Sequence, residues 1–83
     1  MMKKTIKSLL LKEKFLEKVY IKGDNYHLKI IAISKKFITM EEKNKQQIIY
    51  SPLTKLITSN KIHALTIETY TPKEWEIYKK KTN

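Results

Sequence analysis

Two histidines are the side chains of this sequence best suited to metal chemistry. His27 follows the turn sequence Gly23-Asp24-Asn25, and His63 opens the run HALTIETY, whose composition is typical of a strand. The chain has no cysteine, so it has no thiolate of its own to offer a metal. Two imidazoles do not complete a tetrahedral site by themselves. From the residues alone, ligation stays open beside two structural roles: an exposed hairpin ring for His27, and a core-edge ring bonded to a carbonyl for His63.

The groups that an enzyme site requires do not occur together in this sequence. Its serines are not in a G-x-S-x-G motif, it has no glycine-rich phosphate loop, and its acidic residues do not cluster. A nucleophile, a base and a group that orients the base are therefore not apparent. We expect a protein that is not an enzyme.

The net charge of +10 is compatible with a polyanionic partner and also with a basic surface that is simply solvated. All 18 basic residues are lysine, however, whereas base reading and tight phosphate recognition favour the planar, bidentate guanidinium of arginine. The best candidate surface is the segment 43–61, which contains no acid and could rest its polar face on phosphates or on an acidic protein. Its four lysines are Lys43, Lys45, Lys55 and Lys61. The composition favours a solvated basic surface, and a dedicated polyanion site is the alternative.

The length of 83 residues suits one domain, which we place at 1–83 with a core at about 5–78 and a frayed basic tail at 79–83. No window approaches the roughly 18 to 20 apolar residues that cross a bilayer. The apolar run near the N-terminus, SLLL, is too short for a signal peptide. We expect no membrane association and a cytoplasmic location.

Hydrophobic spacing predicts a helix followed by a β-hairpin in the first half of the chain. Ile6, Leu9 and Leu10 recur at helical intervals, so we predict a helix over 5–15 with Thr5 as its N-cap. The stretches EKVYIKG and NYHLKIIAIS are then predicted to pair across a short loop. Gly23 is the only glycine, which indicates that a positive φ is needed there.

The second half begins with a predicted helical stretch. Thr39 and Glu42 have the spacing of a capping box, and the helical pattern continues from there to Asn60. Pro52 removes one amide and crowds the preceding turn. We therefore expect a kinked helix, or two helices joined near Ser51.

A third strand and a final helix complete the prediction. The strand covers 61–69, where alternation would place His63 on the same face as Leu65 and Ile67. Three residues define the start of the helix: Thr71 as N-cap, Pro72 at the first helical position and Glu74 closing a capping box. We expect Tyr70 and Trp75 to be packing anchors, with Trp75 and Tyr78 on one helical face against the sheet.

The element order is α-β-β-α(-α)-β-α, which predicts a small single α+β domain. The long helical crossover between the second and third strands permits a parallel pair, so we expect a three-stranded mixed sheet with the helices packed on one face. A KH-type RNA module has a similar mixture of elements. Its G-x-x-G loop is excluded here because the chain has a single glycine.

The chain resembles the BolA family, and most closely its IbaG-like branch. Three stretches carry the resemblance: GDNYHLKIIAIS, KNKQQIIYSPL and NKIHALTIETYTPKEW, the last of which ends in the family's Tyr-Thr-Pro-x-Glu-Trp. The match extends over about 5–76. The resemblance implies an α+β fold related to the class II KH topology but without the nucleic-acid loop, which agrees with the element order above.

The resemblance also implies a function. Proteins of this family pair with monothiol (CGFS-type) glutaredoxins and share a bridging 2Fe–2S cluster, to which the glutaredoxin and bound glutathione contribute sulfur. The family's histidine before the last strand corresponds to His63, and a second ligand from the hairpin loop corresponds to His27. The isolated chain is then expected to hold no cofactor and to be a monomer or a weak homodimer. Transcriptional regulation through weak DNA binding, centred on 43–61, is the alternative that the resemblance leaves open.

Overall fold

The order of helices and strands along the chain is the predicted one. The computed structural model describes residues 2–24 and 26–82. Within them the elements are α1 (Met2–Leu11), β1 (Lys18–Gly23), β2 (Leu28–Ile33), a 3₁₀ helix (Lys35–Thr39), α2 (Glu42–Tyr50), a second 3₁₀ helix (Ser51–Leu53), α3 (Thr54–Thr58), β3 (Leu65–Tyr70) and α4 (Pro72–Thr82). The predicted α+β class is confirmed. None of the helices in these ranges is both long and apolar enough to cross a membrane.

The three strands form one mixed sheet in the order β1-β2-β3. β1 and β2 are antiparallel, with Gly23 opposite Leu28, so the connecting loop is 24–27. β2 and β3 are parallel, with Leu28 opposite Leu65. Their connection contains α2 and α3, because a parallel pair needs a long crossover. The predicted parallel pairing and short hairpin loop are therefore confirmed.

One face of the sheet carries the apolar core. Every second residue of β1 and β2 points toward this face, because side chains alternate along a strand. The core is completed by residues at helical spacing in α1 and by residues of the α2–α3 region. Its buried members include Ile6, Leu10, Val19, Leu28, Ile30, Ala32, Phe37, Ile49 and Leu53. Apolar burial of this kind is the main stabilising contribution in a domain of this size.

The other face of the sheet is covered at one end by α4. Tyr20 alternates with the core residues of β1, and its ring stacks on Trp75 with a centroid distance of 5.3 Å. Tyr70, at the end of β3, stacks on Tyr78 at 5.1 Å. The prediction that Trp75 and Tyr78 pack on the sheet is confirmed. The expectation that all helices share one face was wrong. Tyr20 and Tyr70 point away from the core, and α4 packs on that side of the sheet through its aromatic residues.

The first helix lies nearer the N-terminus than the predicted 5–15. α1 covers Met2–Leu11, so Thr5 lies within it and is not its N-cap. The helix ends before Phe15, whose ring packs edge-on against Phe37 with centroids 6.3 Å apart. Phe15 therefore serves the core from a turn, although its spacing from the leucines fits a continuing helix.

The predicted capping box from Thr39 to Glu42 was also wrong. α2 begins at Glu42 with Glu41 as its N-cap, and no side chain caps it. Thr39 instead ends the first 3₁₀ helix, where its hydroxyl donates to the carbonyl of Lys36 at 3.3 Å. Ser34 caps that 3₁₀ helix, accepting from the amide of Lys36 at 3.1 Å. Thr39 and Glu42 have the residue types and spacing of a capping box, but Thr39 is the last residue of the 3₁₀ helix and does not cap α2.

The remaining boundaries differ from prediction in two places. The helical stretch divides as expected, with the second 3₁₀ helix at Pro52 separating α2 from α3. β3, however, begins at Leu65 rather than at residue 61. The predicted fraying of 79–83 was wrong for 79–82, because α4 continues through Thr82. Asn83 lies outside the described residues.

β3 is an edge strand whose outer side faces α2. Leu28 donates its amide to the carbonyl of Ala64 at 2.9 Å, and Ser34 donates to that of Tyr70 at 3.1 Å. The backbone groups of 64, 66, 68 and 70 thus face β2, whereas those of 65, 67 and 69 point outward, as a parallel ladder requires. The amide of the Gln46 side chain donates to one outward carbonyl, that of Ile67, at 3.1 Å.

Candidate functional site

The hairpin loop that carries His27 is held by two backbone devices. Gly23 adopts a φ of 90°, and a Cβ at this position would collide with the carbonyl oxygen of His27. The predicted need for glycine is confirmed, because only glycine adopts this conformation without strain. The Asp24 carboxylate then accepts from the amides of Tyr26 at 3.0 Å and of His27 at 3.1 Å. Asn25, the third residue of the predicted turn, lies outside the described residues.

His27 is exposed and immediately precedes β2. Its Nε2 lies 3.1 Å from the hydroxyl of Thr66, on the neighbouring strand. This hydrogen bond fixes the plane of the ring and engages one of its two nitrogens. The remaining nitrogen, Nδ1, is the atom that His27 can offer to a metal while this bond persists.

His63 lies in the loop before β3 and is exposed. The predicted place on the core face beside Leu65 was wrong, because the strand begins two residues after His63 and alternation does not extend back to it. Ile62, 3% exposed, fills the core position at this end instead. The His63 ring stacks on Tyr26, with centroids 5.0 Å apart and planes inclined by 12°.

The sheet brings the two histidines to the same end of the molecule. Each precedes a strand, and those two strands are parallel neighbours whose first residues, Leu28 and Leu65, are paired. Among residues 2–24 and 26–82, no group of three or more histidines, cysteines or carboxylates could hold a metal ion. Two imidazoles at this end of the sheet supply two of the four donor atoms of a tetrahedral site. They suit a metal centre whose other ligands come from another molecule.

Two residues of this site were not identified from the sequence. Tyr26 stacks on His63, and Thr66 is bonded to His27. Tyr26 precedes a candidate ligand in the chain, and a large aromatic residue in a polar turn is a signal that could have been noticed. Thr66 could be found only from the parallel register, which the sequence permits but does not fix.

The opposite end of β3 is built from the residues predicted to be structural. The Thr71 amide donates to the Glu74 carboxylate at 2.8 Å, and the Glu74 amide donates to the Thr71 hydroxyl at 3.2 Å. This reciprocal pair is the predicted capping box, with Pro72 as the first helical residue. Trp75 follows and stacks as described above. These residues anchor α4, and the one exposed carboxylate among them, that of Glu74, is engaged by the Thr71 amide.

A small polar network lies between the two ends, on the face opposite the core. Lys29 and Glu68 form an ion pair with a nitrogen–oxygen distance of 3.0 Å, and the Tyr70 hydroxyl donates to Glu68 at 2.8 Å. The hydrogen bond to Glu68 raises the pKa of Lys29. Partial burial acts against the Glu68 carboxylate, but the hydrogen bonds from Lys29 and Tyr70 outweigh it and lower its pKa. Burial, with the bond to Glu68, raises the pKa of Tyr70.

The four candidate lysines do not form a single helical face. Lys43 lies in a groove beside Tyr50 and the edge strand. Lys45 is two residues further along α2, on nearly the opposite side, and its Nζ is 3.7 Å from Glu42. The other two candidates, Lys55 and Lys61, are exposed in α3 and in the following loop. The candidate lysines of 43–61 therefore lie on more than one side of this helical stretch, and their contact with phosphates stays a prediction.

Comparison with known proteins gives one family and one fold. A family model described as BolA-like protein matches residues 4–74. The acid stress protein IbaG of Escherichia coli (strain K12) is 41% identical over 70 residues, which are 84% of this chain and 83% of that protein. The DNA-binding transcriptional regulator BolA of the same organism is 39% identical over 54 residues, 65% of this chain and 50% of that one. The solved structure of BolA1 from Arabidopsis thaliana has a TM-score of 0.73 at 24% identity, covering 86% of this chain and 92% of that chain.

Proposed function

Because this chain belongs to the BolA-like protein family, we propose that it is a non-enzymatic adapter which pairs with a monothiol glutaredoxin. In the pair it co-ligates a bridging 2Fe–2S cluster, which is the cargo in iron–sulfur cluster trafficking or iron sensing. The observation that carries this proposal is the pair of exposed imidazoles at one end of the sheet. They occur in a chain without cysteine, which therefore has no thiolate to contribute to ligation.

The donor atoms fit one half of such a cluster. The described part of the chain makes no hydrogen bond to either ring nitrogen of His63, so both are free for ligation. His27 is the second ligand and the weaker one, because its Nε2 is engaged by Thr66. The glutaredoxin cysteine and the thiol of bound glutathione complete the set from the other side. The exposure of both histidines lets a partner approach this edge without rearrangement of the core.

Imidazole ligation explains what the adapter changes. A cluster held by imidazoles on one iron has a higher reduction potential than an all-thiolate cluster, as in Rieske centres. The heterodimer therefore holds a cluster that differs in potential and lability from that of the glutaredoxin homodimer. The lysine-rich surface accelerates association with an acidic partner more than it strengthens the complex. A cytoplasmic location and a monomeric or weakly dimeric free chain accompany this role.

The decisive experiment is cluster reconstitution with a CGFS glutaredoxin and glutathione, followed by visible absorption and circular dichroism. We compare the wild type with His63→Ala and His27→Ala, after far-ultraviolet circular dichroism has established that each is folded. Tyr50→Leu, a change at an exposed tyrosine outside the histidine site, is the control for surface substitution. Wild type and control are expected to convert the homodimer spectrum into a heterodimer spectrum.

His63→Ala is expected to abolish that conversion, and His27→Ala to alter the new spectrum or shorten its lifetime. Should all the folded variants give the wild-type heterodimer spectrum, the histidines are not ligands. If the wild type itself leaves the homodimer spectrum unchanged, the partnership is wrong.

A second candidate function is nucleic-acid binding by a transcriptional or stress-response regulator. It is favoured by the charge of +10 and by the relative named as a DNA-binding transcriptional regulator. Lysine contacts to phosphate lose affinity steeply with salt. Fluorescence anisotropy with a labelled duplex between low and physiological salt tests this function, with a Lys55→Gln, Lys61→Gln double variant beside the wild type. Sequence-selective binding that persists at physiological salt would favour this function over the adapter.

A further inference from the structure

Tyr26 is a large side chain that the fold does not need. It is 75% exposed, more than the other tyrosines in the described part of the chain that are exposed, Tyr20 and Tyr50. Its one ring contact within residues 2–24 and 26–82 is the stack on His63, with centroids 5.0 Å apart and planes inclined by 12°. A tyrosine that lies outside the core and covers one face of a candidate ligand requires an explanation of its own.

The loop backbone holds Tyr26 over His63. The Asp24 carboxylate accepts from the amide of Tyr26 and from that of the next residue, so the segment is tied on both sides of the Tyr26 α-carbon. The positive φ of Gly23 sets the direction in which the loop leaves β1. The turn that carries His27 therefore also fixes the backbone from which the Tyr26 ring reaches His63.

The two histidines are oriented in different ways. The ring of His27 is fixed by a hydrogen bond to Nε2, which occupies a lone-pair or N–H position in the ring plane. The ring of His63 is covered on its π face, and the nitrogen lone pairs of an imidazole lie in the plane, away from a stacked neighbour. Stacking thus limits the ring's rotation and leaves both nitrogens accessible. A hydrogen bond to the His63 ring would also fix it, but it would engage one nitrogen that could otherwise bind a metal.

We propose that Tyr26 is a positioning residue for His63, which it holds by ring stacking so that the imidazole presents its nitrogens to a metal centre outside the chain. This inference rests on the proposed function for the identity of that centre. It assigns the role to the aromatic face and none to the hydroxyl. Tyr26→Phe should therefore behave as wild type, whereas Tyr26→Leu should not.

The stack itself is tested on the isolated protein by nuclear magnetic resonance. The Hδ2 and Hε1 signals of the two histidines are assigned with His27→Ala and His63→Ala. In the wild type and in Tyr26→Phe, the ring current of the neighbour is expected to move the His63 signals upfield. In Tyr26→Leu these signals should return toward the positions of an exposed histidine. Unchanged His63 signals in Tyr26→Leu would overturn the inference, whatever the protein does with a cluster.

The positioning role is tested on the reconstituted heterodimer with glutaredoxin and glutathione. Tyr26→Leu is expected to accelerate cluster loss about two- to tenfold, the factor that corresponds to one aromatic pair. Tyr26→Phe should stay within about twofold of wild type, as should the control Tyr50→Leu. His63→Ala provides the reference in which this ligand is absent and the homodimer spectrum is expected to remain.

The failures of the inference and of the proposed function are distinguishable. If Tyr26→Leu loses the stack but keeps the wild-type spectrum and lifetime, while His63→Ala changes both, then His63 is a ligand and Tyr26 does not position it. If His63→Ala also keeps the wild-type spectrum and lifetime, the proposed function is overturned, and the positioning role with it.

Discussion

The two ends of β3 differ in burial and in the contacts of their side chains, although both belong to the stretch NKIHALTIETYTPKEW. At the end of the strand, Thr71 is 7% exposed and exchanges two hydrogen bonds with Glu74, and Trp75 stacks on the sheet. At its start, His63 is exposed and is held by one ring contact. One continuous motif therefore combines an anchor with a presented side chain.

The difference shows that a family motif need not have a single explanation. Residues after the strand are explained by packing and capping, which contribute to the free energy of unfolding. Residues before it contribute little to the core and leave their polar atoms available. Substitutions at the two ends should consequently separate stability from ligand binding, and the following four changes test that separation, from the largest expected effect to the smallest.

Trp75→Ala should give the largest loss of stability. It removes the indole that stacks on Tyr20 at 5.3 Å and lies tilted against Tyr70 at 5.5 Å. Replacing a core aromatic by alanine costs about 3 to 5 kcal/mol, and because Trp75 is half-buried we expect a loss near the lower value. Urea unfolding followed by far-ultraviolet circular dichroism measures it, since Trp75 is the only tryptophan and its fluorescence is lost. Trp75→Phe is the control. The buried indole Nε1 has no acceptor among the described residues, so phenylalanine should retain most of the stability.

Thr71→Ala should cost about 1 kcal/mol by removing the hydroxyl acceptor of the capping box. In a domain of this length that corresponds to a decrease in melting temperature of roughly 4 to 8 °C. Thr71→Ser keeps an acceptor oxygen and should recover most of the difference. A loss as large in Thr71→Ser as in Thr71→Ala would mean that the threonine methyl, rather than the cap, is what matters.

Glu68→Gln should have a smaller effect that depends on pH. Because the folded-state pKa of Glu68 is lowered, its carboxylate stabilises the fold above the unfolded value of about 4.3. That contribution is lost as the pH falls through the folded pKa. The variant should thus be less stable than wild type at pH 7, by less than Thr71→Ala, and this difference should be smaller at pH 3. Chemical unfolding at both pH values measures the difference in free energy of unfolding between the variant and wild type. A difference of equal size at both would exclude the ion pair as its cause.

His63→Ala should change the free energy of unfolding least, by no more than about 0.5 kcal/mol, as is usual for exposed positions. The same variant is expected to have the largest effect on the cluster spectrum. His27→Ala should be similar, with a small additional loss from the bond to Thr66. A destabilisation above about 1 kcal/mol for His63→Ala would show that the two ends of β3 are not separated in the way described.

Predictions from the sequence were correct for features that depend on neighbouring residues and less accurate for features that depend on distant residues. The capping box at Thr71 and the positive φ at Gly23 are local, and both were identified correctly. The same pattern at Thr39 failed because Ser34 had already started a 3₁₀ helix that ends there. A short pattern cannot exclude such a competitor.

The candidate site illustrates the same limit. Both histidines were identified, but His63 was placed on the core face because the strand was expected to begin at residue 61. Its true position depends on Ile62 filling the core. Its stack on Tyr26 depends on the parallel register between β2 and β3, which begin 37 residues apart in the chain, at Leu28 and Leu65.

The side-chain amide of Gln46 has a consequence for how the protein behaves among copies of itself. An open strand edge is a template on which other chains can add, and this is a common origin of aggregation. Gln46 occupies the central outward carbonyl of β3, that of Ile67, so an incoming strand must first displace it. The crossover helix α2 thus places one side-chain amide as a guard on the β3 edge of the sheet, against addition of a strand from another copy.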